Sequence, residues 1–198
     1  MRPSATLDLI PSASLDHYPI GRPLTADQIT EFHAARILLL ISLCGTKDKV
    51  TKTNKIDGLT KLAKLDFFIR YPDFYRRAKI HLHKEVERAR LAAMESPMVR
   101  HHYGPWDPRY YQILAYLESR VLITVGKVNR AFVFLLTEAG QGIAQRLAED
   151  DSYFELCDRM TDVRETFKGK SGDWLKRLVY QIFDEEIANL PLGRMIES

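Results

Sequence analysis

Tyr103-Gly104-Pro105-Trp106-Asp107-Pro108 opens the stretch, running on to Leu147, whose reading decides the fold. Asp107 is a good N-cap, and Pro108 suits a first helical position because its missing N–H would be unpaired there anyway. Tyr110, Ile113, Leu114 and Leu117 follow at helical spacing on one face. At Val121 the period switches. Val121-Leu122-Ile123-Thr124-Val125 and Ala131-Phe132-Val133-Phe134-Leu135-Leu136 are β-branched and aromatic runs around Gly126-Lys127-Val128-Asn129-Arg130, which predicts a hairpin with a longer loop. Thr137 can cap a further helix whose Ala139, Ile143 and Leu147 face a core. Helix, two-stranded wing and capped helix form the back half of a winged helix-turn-helix.

Upstream, Thr25 to Gln28 has the form of a capping box opening a helix that runs to about Cys44, with Gly45 at its end. Its second half is apolar nearly all round, which makes it central, and His33 on it reads as a hydrogen-bonded packing residue. Thr46 to Lys55 is a polar, Lys-rich loop. A second helix is expected from about Ile56-Asp57-Gly58, with Leu59, Leu62, Leu65, Phe68 and Ile69 buried and Lys61, Lys64 and Arg70 outside. Pro72 ends or kinks it, and Asp73 to Met94 continues as a basic helix. Before all of this, residues 1–24 hold four prolines among scattered apolar residues and read as an extended arm. Two dispositions are open for that arm: docking on a partner or on the chain's own core.

Downstream of the wing, Asp151 to Phe167 and Trp174 to Phe183 are two amphipathic helices joined by a Lys168-Gly169-Lys170-Ser171-Gly172 turn. The fold class expected is therefore mainly α with a small β-hairpin. It comprises the arm 1–24, a winged-helix module over 25–150 with a helical insertion at 73–104, and a C-terminal helical hairpin over 151–198.

A hydrophobic share of 45% and a charged share of 28% are those of an ordinary globular chain. The apolar run Ile37 to Leu43 is far too short to span a bilayer, and the N-terminus lacks a basic-then-apolar leader pattern. With only Cys44 and Cys157, well separated, neither a disulfide framework nor a CxxC metal site is indicated; the cytoplasm is the compartment expected. The net charge of +3 conceals an asymmetry, since residues 45–104 carry +7 and residues 131–198 carry −5. A basic middle beside an acidic C-terminal part suggests one side for a polyanion and another for a protein; solvated helix faces are the plain alternative.

Several motifs fall short. Gly169-Lys170-Ser171 resembles the end of a phosphate-binding loop, but Arg164 stands where the loop's first glycine belongs and an amphipathic helix precedes it. Gly140-Gln141-Gly142 has Gln145 where a dinucleotide fingerprint needs its third glycine. His81-x-His83 and His101-His102 lack the further converging ligands of a metal site. No nucleophile elbow or HExxH run is present, so the chain reads as non-enzymatic, with no catalytic, cofactor or metal residues to name. For DNA, Arg109 and Gln112 on the helix before the wing, Lys127 and Arg130 on the wing, and Lys61 and Lys64 on the second helix are the candidate contacts. Asp107, Tyr116 and Glu118 make that helix a poor reading surface.

Two blocks carry a family resemblance. Ile56-Asp57-Gly58-Leu59-Thr60-Lys61-Leu62-Ala63-Lys64-Leu65-Asp66-Phe67-Phe68-Ile69-Arg70-Tyr71-Pro72 and Met98-Val99-Arg100-His101-His102-Tyr103-Gly104-Pro105-Trp106-Asp107-Pro108-Arg109-Tyr110-Tyr111 resemble the middle components of ABC-three-component systems, and Leu175 to Phe183 is similar to a third, looser block. The likeness spans about residues 55–190 and is nearest to the Lamassu-type anti-phage and anti-plasmid small subunits. It implies a non-catalytic adaptor bound to an SMC/Rad50-like ATPase and to an effector subunit such as a nuclease. Double-stranded DNA is a further expected partner, and no membrane is. Trp174, Leu178, Tyr180 and Phe183 are the candidate protein contacts. The rival expectation is a stand-alone winged-helix transcriptional regulator, which would need a symmetric dimer and a palindromic operator.

Overall fold

The computed structural model describes residues 28–86, 98–102, 104–128, 131–183, 187 and 189–196. The chain is mainly helical with a small antiparallel sheet. Helix α1 (Thr30–Cys44) is followed by β1 (Thr46–Lys47) and β2 (Asn54–Asp57), then α2 (Leu59–Arg70) and α3 (Pro72–His81). A short hairpin of β3 (Val99–His101) and β4 (Gly104–Trp106) leads to α4 (Tyr110–Ser119). Strands β5 (Ile123–Val128) and β6 (Ala131–Leu136) precede α5 (Glu138–Ala148), α6 (Phe154–Thr166) and α7 (Gly172–Ile182).

Helix α1 packs against α2, α4, α5, α6 and strands β2 and β6, which is why Ile37 to Ile41 are buried without interruption. The sheet order is β1-β2-β6-β5, all antiparallel. Ile56 pairs with Phe134, and Ile123 with Leu136, which puts their apolar side chains on the face that covers α1. A single cluster of buried side chains runs from Ala34 to Ile196. The C-terminal helices α6 and α7 share this core with the preceding elements, so the division at residue 150 separates no two cores among the described residues.

The structure departs from the sequence reading at identifiable points. The arm 1–24 and the cap Thr25 lie outside the described residues, and α1 starts only at Thr30, with extended Ile29 before it. Within the Lys-rich segment Thr46 to Lys55, β1 and part of β2 form, and Ile56 is a strand residue rather than a helix start. Gly58, at φ 94, makes the turn from β2 into α2. Helix α3 stops at His81 instead of continuing towards Met94; residues 87–97 are not described. His83 there takes φ 53, its N–H bonding Ile80 O and that of Lys84 bonding Lys79 O, a Schellman ending built without glycine.

The β3–β4 hairpin is a further addition. The chain end returns to it: Ile196 N–H donates to Met98 O at 2.8 Å and Arg100 N–H to Arg194 O at 2.8 Å, with Met195 bridging Val99. On α5, Ile143 and Leu147 pack on the core as expected, but Ala139 is exposed and Gly140 is buried in its stead.

Candidate functional site

Asp107 caps α4 from two residues further out than expected. Its Oδ1 accepts from the Arg109 N–H at 3.0 Å and its carbonyl from the Tyr110 N–H at 3.2 Å, while α4 begins at Tyr110. The same carboxylate anchors a buried ionic network. Arg109 reaches it through Nε at 2.9 Å and Nη2 at 2.7 Å, and Arg70 through Nη1 at 2.8 Å. Behind it, Arg36 Nε donates to Asp66 at 2.9 Å and the Tyr110 hydroxyl donates to Asp66 at 2.7 Å. His33 stands between two guanidinium groups, with Arg36 Nη1 2.9 Å from Nδ1 and Arg109 Nη1 2.8 Å from Nε2. It is the hydrogen-bonded packing residue that the sequence suggests.

Burial opposes the charge on Asp107, yet the hydrogen bonds from Arg109 and the neighbouring Arg70 hold its carboxyl well below the ordinary range. Burial and the facing Asp66 push the Tyr110 hydroxyl well above its ordinary value, so it remains a donor. Three arginines and two aspartates thus tie α1, α2 and α4 together. Removing one partner from such a buried set typically costs about 3–5 kcal/mol, because the remaining charge is stranded. The cluster fixes the position of α4 and engages Arg109 at its start, while Arg120 at its other end is exposed and lies over the Tyr116 ring at 5.2 Å.

The DNA candidates are scattered by this arrangement. Arg109 is drawn into the network and is not an open cation. Lys64 is a correction: α7 and β4 cover the side of α2 expected to face water, leaving Lys64 buried, with Nζ donating to Pro105 O at 2.8 Å. Burial first, then the charge of Lys176, pushes it down to about 7. Arg70, also expected outside, is buried in the ionic network, with Nη1 2.8 Å from Asp107 and 3.6 Å from Asp66. Lys61 is half-buried, its backbone abutting Gly172 so closely that a Cβ there would lie 2.8 Å from Lys61 N. Gln112 and Lys127 are exposed, Lys127 over the ring of its cross-strand neighbour Phe132 at 5.7 Å. Arg130 lies outside the described residues.

Among the protein-contact candidates, Leu178 and Phe183 are core residues and are corrected accordingly; Phe183 packs edge-on to Phe74 at 4.8 Å. Tyr180 is half-buried and its hydroxyl donates to His102 O at 3.1 Å. Trp174 lies under Lys170, 4.5 Å from its ring centre, and lines a shallow cleft of about 360 Å³ with His81, Leu82, Arg177, Leu178 and Gln181.

A surface missed by the sequence reading lies where β3, β4 and α4 meet. His101 stacks on Trp106 at 5.3 Å, and Trp106 lies 5.9 Å from Tyr111, which is 65% exposed. Burial, then His102, Lys64 and Arg100, lowers the His101 pKa from its ordinary value. The aromatic residues are all visible in Met98 to Tyr111; their convergence depends on the β3–β4 hairpin, whose one signal, Gly104-Pro105 with Gly104 at φ 90, the sequence reading absorbed into the entry to α4. Helix α4 itself contains no lysine or arginine.

Among the described residues no group of three His, Cys, Asp or Glu side chains is placed to hold a metal ion, and no helix is long and apolar enough to cross a membrane. Comparison with protein-family models, curated proteins and solved structures finds no match to the chain.

Proposed function

We propose that the protein is a non-catalytic adaptor that joins an SMC/Rad50-like ATPase to an effector subunit in antiviral or anti-plasmid defence. The order α1, β2, α2, α4, β5, β6, with β2 pairing to β6, supports reading the centre as a winged helix-turn-helix, its helical insertion lying between α2 and α4. In that reading α4 is the helix that a DNA-binding relative would lay in a major groove.

The observation that carries the proposal is the character of α4. It offers Tyr111 and Gln112 beside Trp106 and His101, and Arg109 at its start is consumed by Asp107 and His33. Aromatic residues are enriched at protein interfaces and often dominate their energetics, whereas a groove-reading helix needs cations and base-edge donors. The same feature disfavours the stand-alone transcriptional regulator. The ATPase as the particular partner rests on the resemblance of the Ile56–Pro72 and Met98–Tyr111 blocks.

The test is Tyr111→Glu in the chain co-expressed with an SMC/Rad50-like ATPase of the proposed class. Tyr111 is exposed, so the fold is expected to persist, while an interface centred on it loses at least about tenfold in affinity. Unchanged association would remove α4 from the interface.

A further inference from the structure

The β1–β2 hairpin, residues 46–57, is more ordered than a Lys-rich loop needs to be. Asp48 N–H donates to Thr53 O at 2.9 Å, and Lys52 N–H donates back to Asp48 O at 3.1 Å. The Asp48 carboxylate accepts from the N–H groups of Val50 and Thr51, each at 3.0 Å. Those bonds hold its pKa below the ordinary value, so its charge is spent inside the turn. Thr53 fastens the base by donating its hydroxyl to Leu136 O at 2.6 Å. Gly45 does the same by close approach, since a Cβ there would meet Lys55 O at 2.8 Å.

Lys47, Lys49 and Lys52 are exposed on this turn around Val50, which is 86% exposed, and the Lys52 ammonium also donates to Lys49 O at 2.7 Å, which holds it against the turn. Lys55 lies 3.6 Å from Asp48 and 3.3 Å from Asp57, so it engages both acids of the hairpin. Among the described residues, no carboxylate pairs with the other three lysines. Three ammonium groups are thus held on the outside of one fixed turn, with the local acids already occupied.

The chemistry of the surface narrows its ligand. Lysine is depleted at protein–protein interfaces, where aromatic residues and arginine lead. One valine offers too little apolar area for insertion into a lipid surface. Lysines are compact point charges that suit phosphate oxygens and carry no base-edge selectivity. The turn sits at the Leu136 end of the sheet, whereas Lys127 lies at the Ala131 end, so it is distinct from the wing.

We propose that the β1–β2 hairpin is a sequence-independent binding site for the phosphate backbone of duplex nucleic acid, with Lys47, Lys49 and Lys52 as its contacting cations. This deepens the adaptor reading by giving the complex a duplex contact away from the aromatic face of α4, and it uses no residue of that face.

The experiment is fluorescence anisotropy of the full chain with a labelled random-sequence duplex of about three helical turns, titrated from about 50 to about 200 mM NaCl. The triple variant Lys47→Ala, Lys49→Ala, Lys52→Ala is expected to bind about tenfold more weakly at low salt, with the slope of log affinity against log salt reduced by about 2–3. A charge-matched control, Lys84→Ala, Arg146→Ala, Lys168→Ala, is expected to remain within about twofold of the unaltered chain, because those exposed cations lie on other elements. Lys49→Ala alone gives a milder version of the same change, and melting curves check that each variant is folded.

The proposal is overturned if the unaltered chain does not bind the duplex, if the hairpin variant binds as well as it does, or if the control loses as much. Binding to phosphatidylserine-containing vesicles without binding to the duplex overturns it as well. Association with the ATPase, measured on the same triple variant, is expected to be unchanged. Loss of duplex binding with ATPase association intact supports both readings, whereas duplex binding by a chain that ignores the ATPase leaves the hairpin site standing and removes the adaptor.

Discussion

Lys64 shows how a single residue can depart from its sequence pattern. At its place in α2 it belongs to the polar stripe, yet α7 and β4 enclose it, and its ammonium is left with Pro105 O as acceptor. Burial lowers its pKa to about 7, so between pH 7 and the ordinary lysine value of about 10.4 the unfolded chain binds more protons than the folded one. Lys64 therefore makes stability rise with pH across that window, and the penalty is fully present below it. Cys44 pulls the other way above about pH 8.5, because burial pushes its thiol up to about 12 and the folded chain keeps that proton longer. Lys64→Met is expected to raise the melting temperature at pH 7 and to flatten the rise between pH 7 and 8.5. Denaturation at a series of pH values, compared with the unaltered chain, isolates the Lys64 contribution; an unaltered rise would contradict it. Nothing local announces this burial, because the elements that cause it lie about 40 and 110 residues further along the chain.

Elements were legible where pattern and punctuation agree. The β5–β6 hairpin and the Thr137 cap follow from residue type, although β5 runs over Ile123–Val128, so Gly126 to Val128, read as loop, pair in the ladder and Val121 and Leu122 precede the strand. Helix ends without glycine were not. Both α3 and α4 close on a Schellman motif, with His83 and Val121 in the left-handed region at φ 53 and φ 57. Val121 is the more strained, being β-branched, and is 66% exposed, so its side chain contributes little packing. Val121→Gly is expected to stabilise the chain by about 1 kcal/mol, read from urea unfolding; a loss of stability would show that the valine side chain is needed where it stands. The neighbouring Gly140 is fixed for a different reason. A Cβ there would lie 1.8 Å from Leu122 O, which ties α5 against the α4–β5 turn. The Gly140-Gln141-Gly142 run that resembles a nucleotide fingerprint is therefore a packing feature.

At the scale of the molecule, the aromatic surface of α4, β3 and β4 and the lysine hairpin of β1 and β2 occupy separate elements of one body. Their chemistry was only half visible in the sequence. Residues 45–104 are indeed basic, but Lys64 and Arg70 are buried inside; of the exposed cations in the described part, Lys47, Lys49 and Lys52 lie on a hairpin that reads as a plain loop, while Arg76, paired with Asp73, and Lys84 lie on and after α3. Charge counts do not say which cations face water; that depends on which helix covers which face. The acidic balance of residues 131–198 likewise spreads over α6 and α7, where Asp162 pairs with Lys79 and Asp173 with Lys176 and Arg177.

The most direct measurement of the adaptor assignment is size-exclusion chromatography with light scattering of the full chain co-expressed with an SMC/Rad50-like ATPase of the proposed class. An adaptor forms a stable complex containing both chains, weakened by Tyr111→Glu and retained when the hairpin lysines are removed. Separate elution of the two proteins, with this chain a symmetric dimer that selects a palindromic duplex, would contradict it.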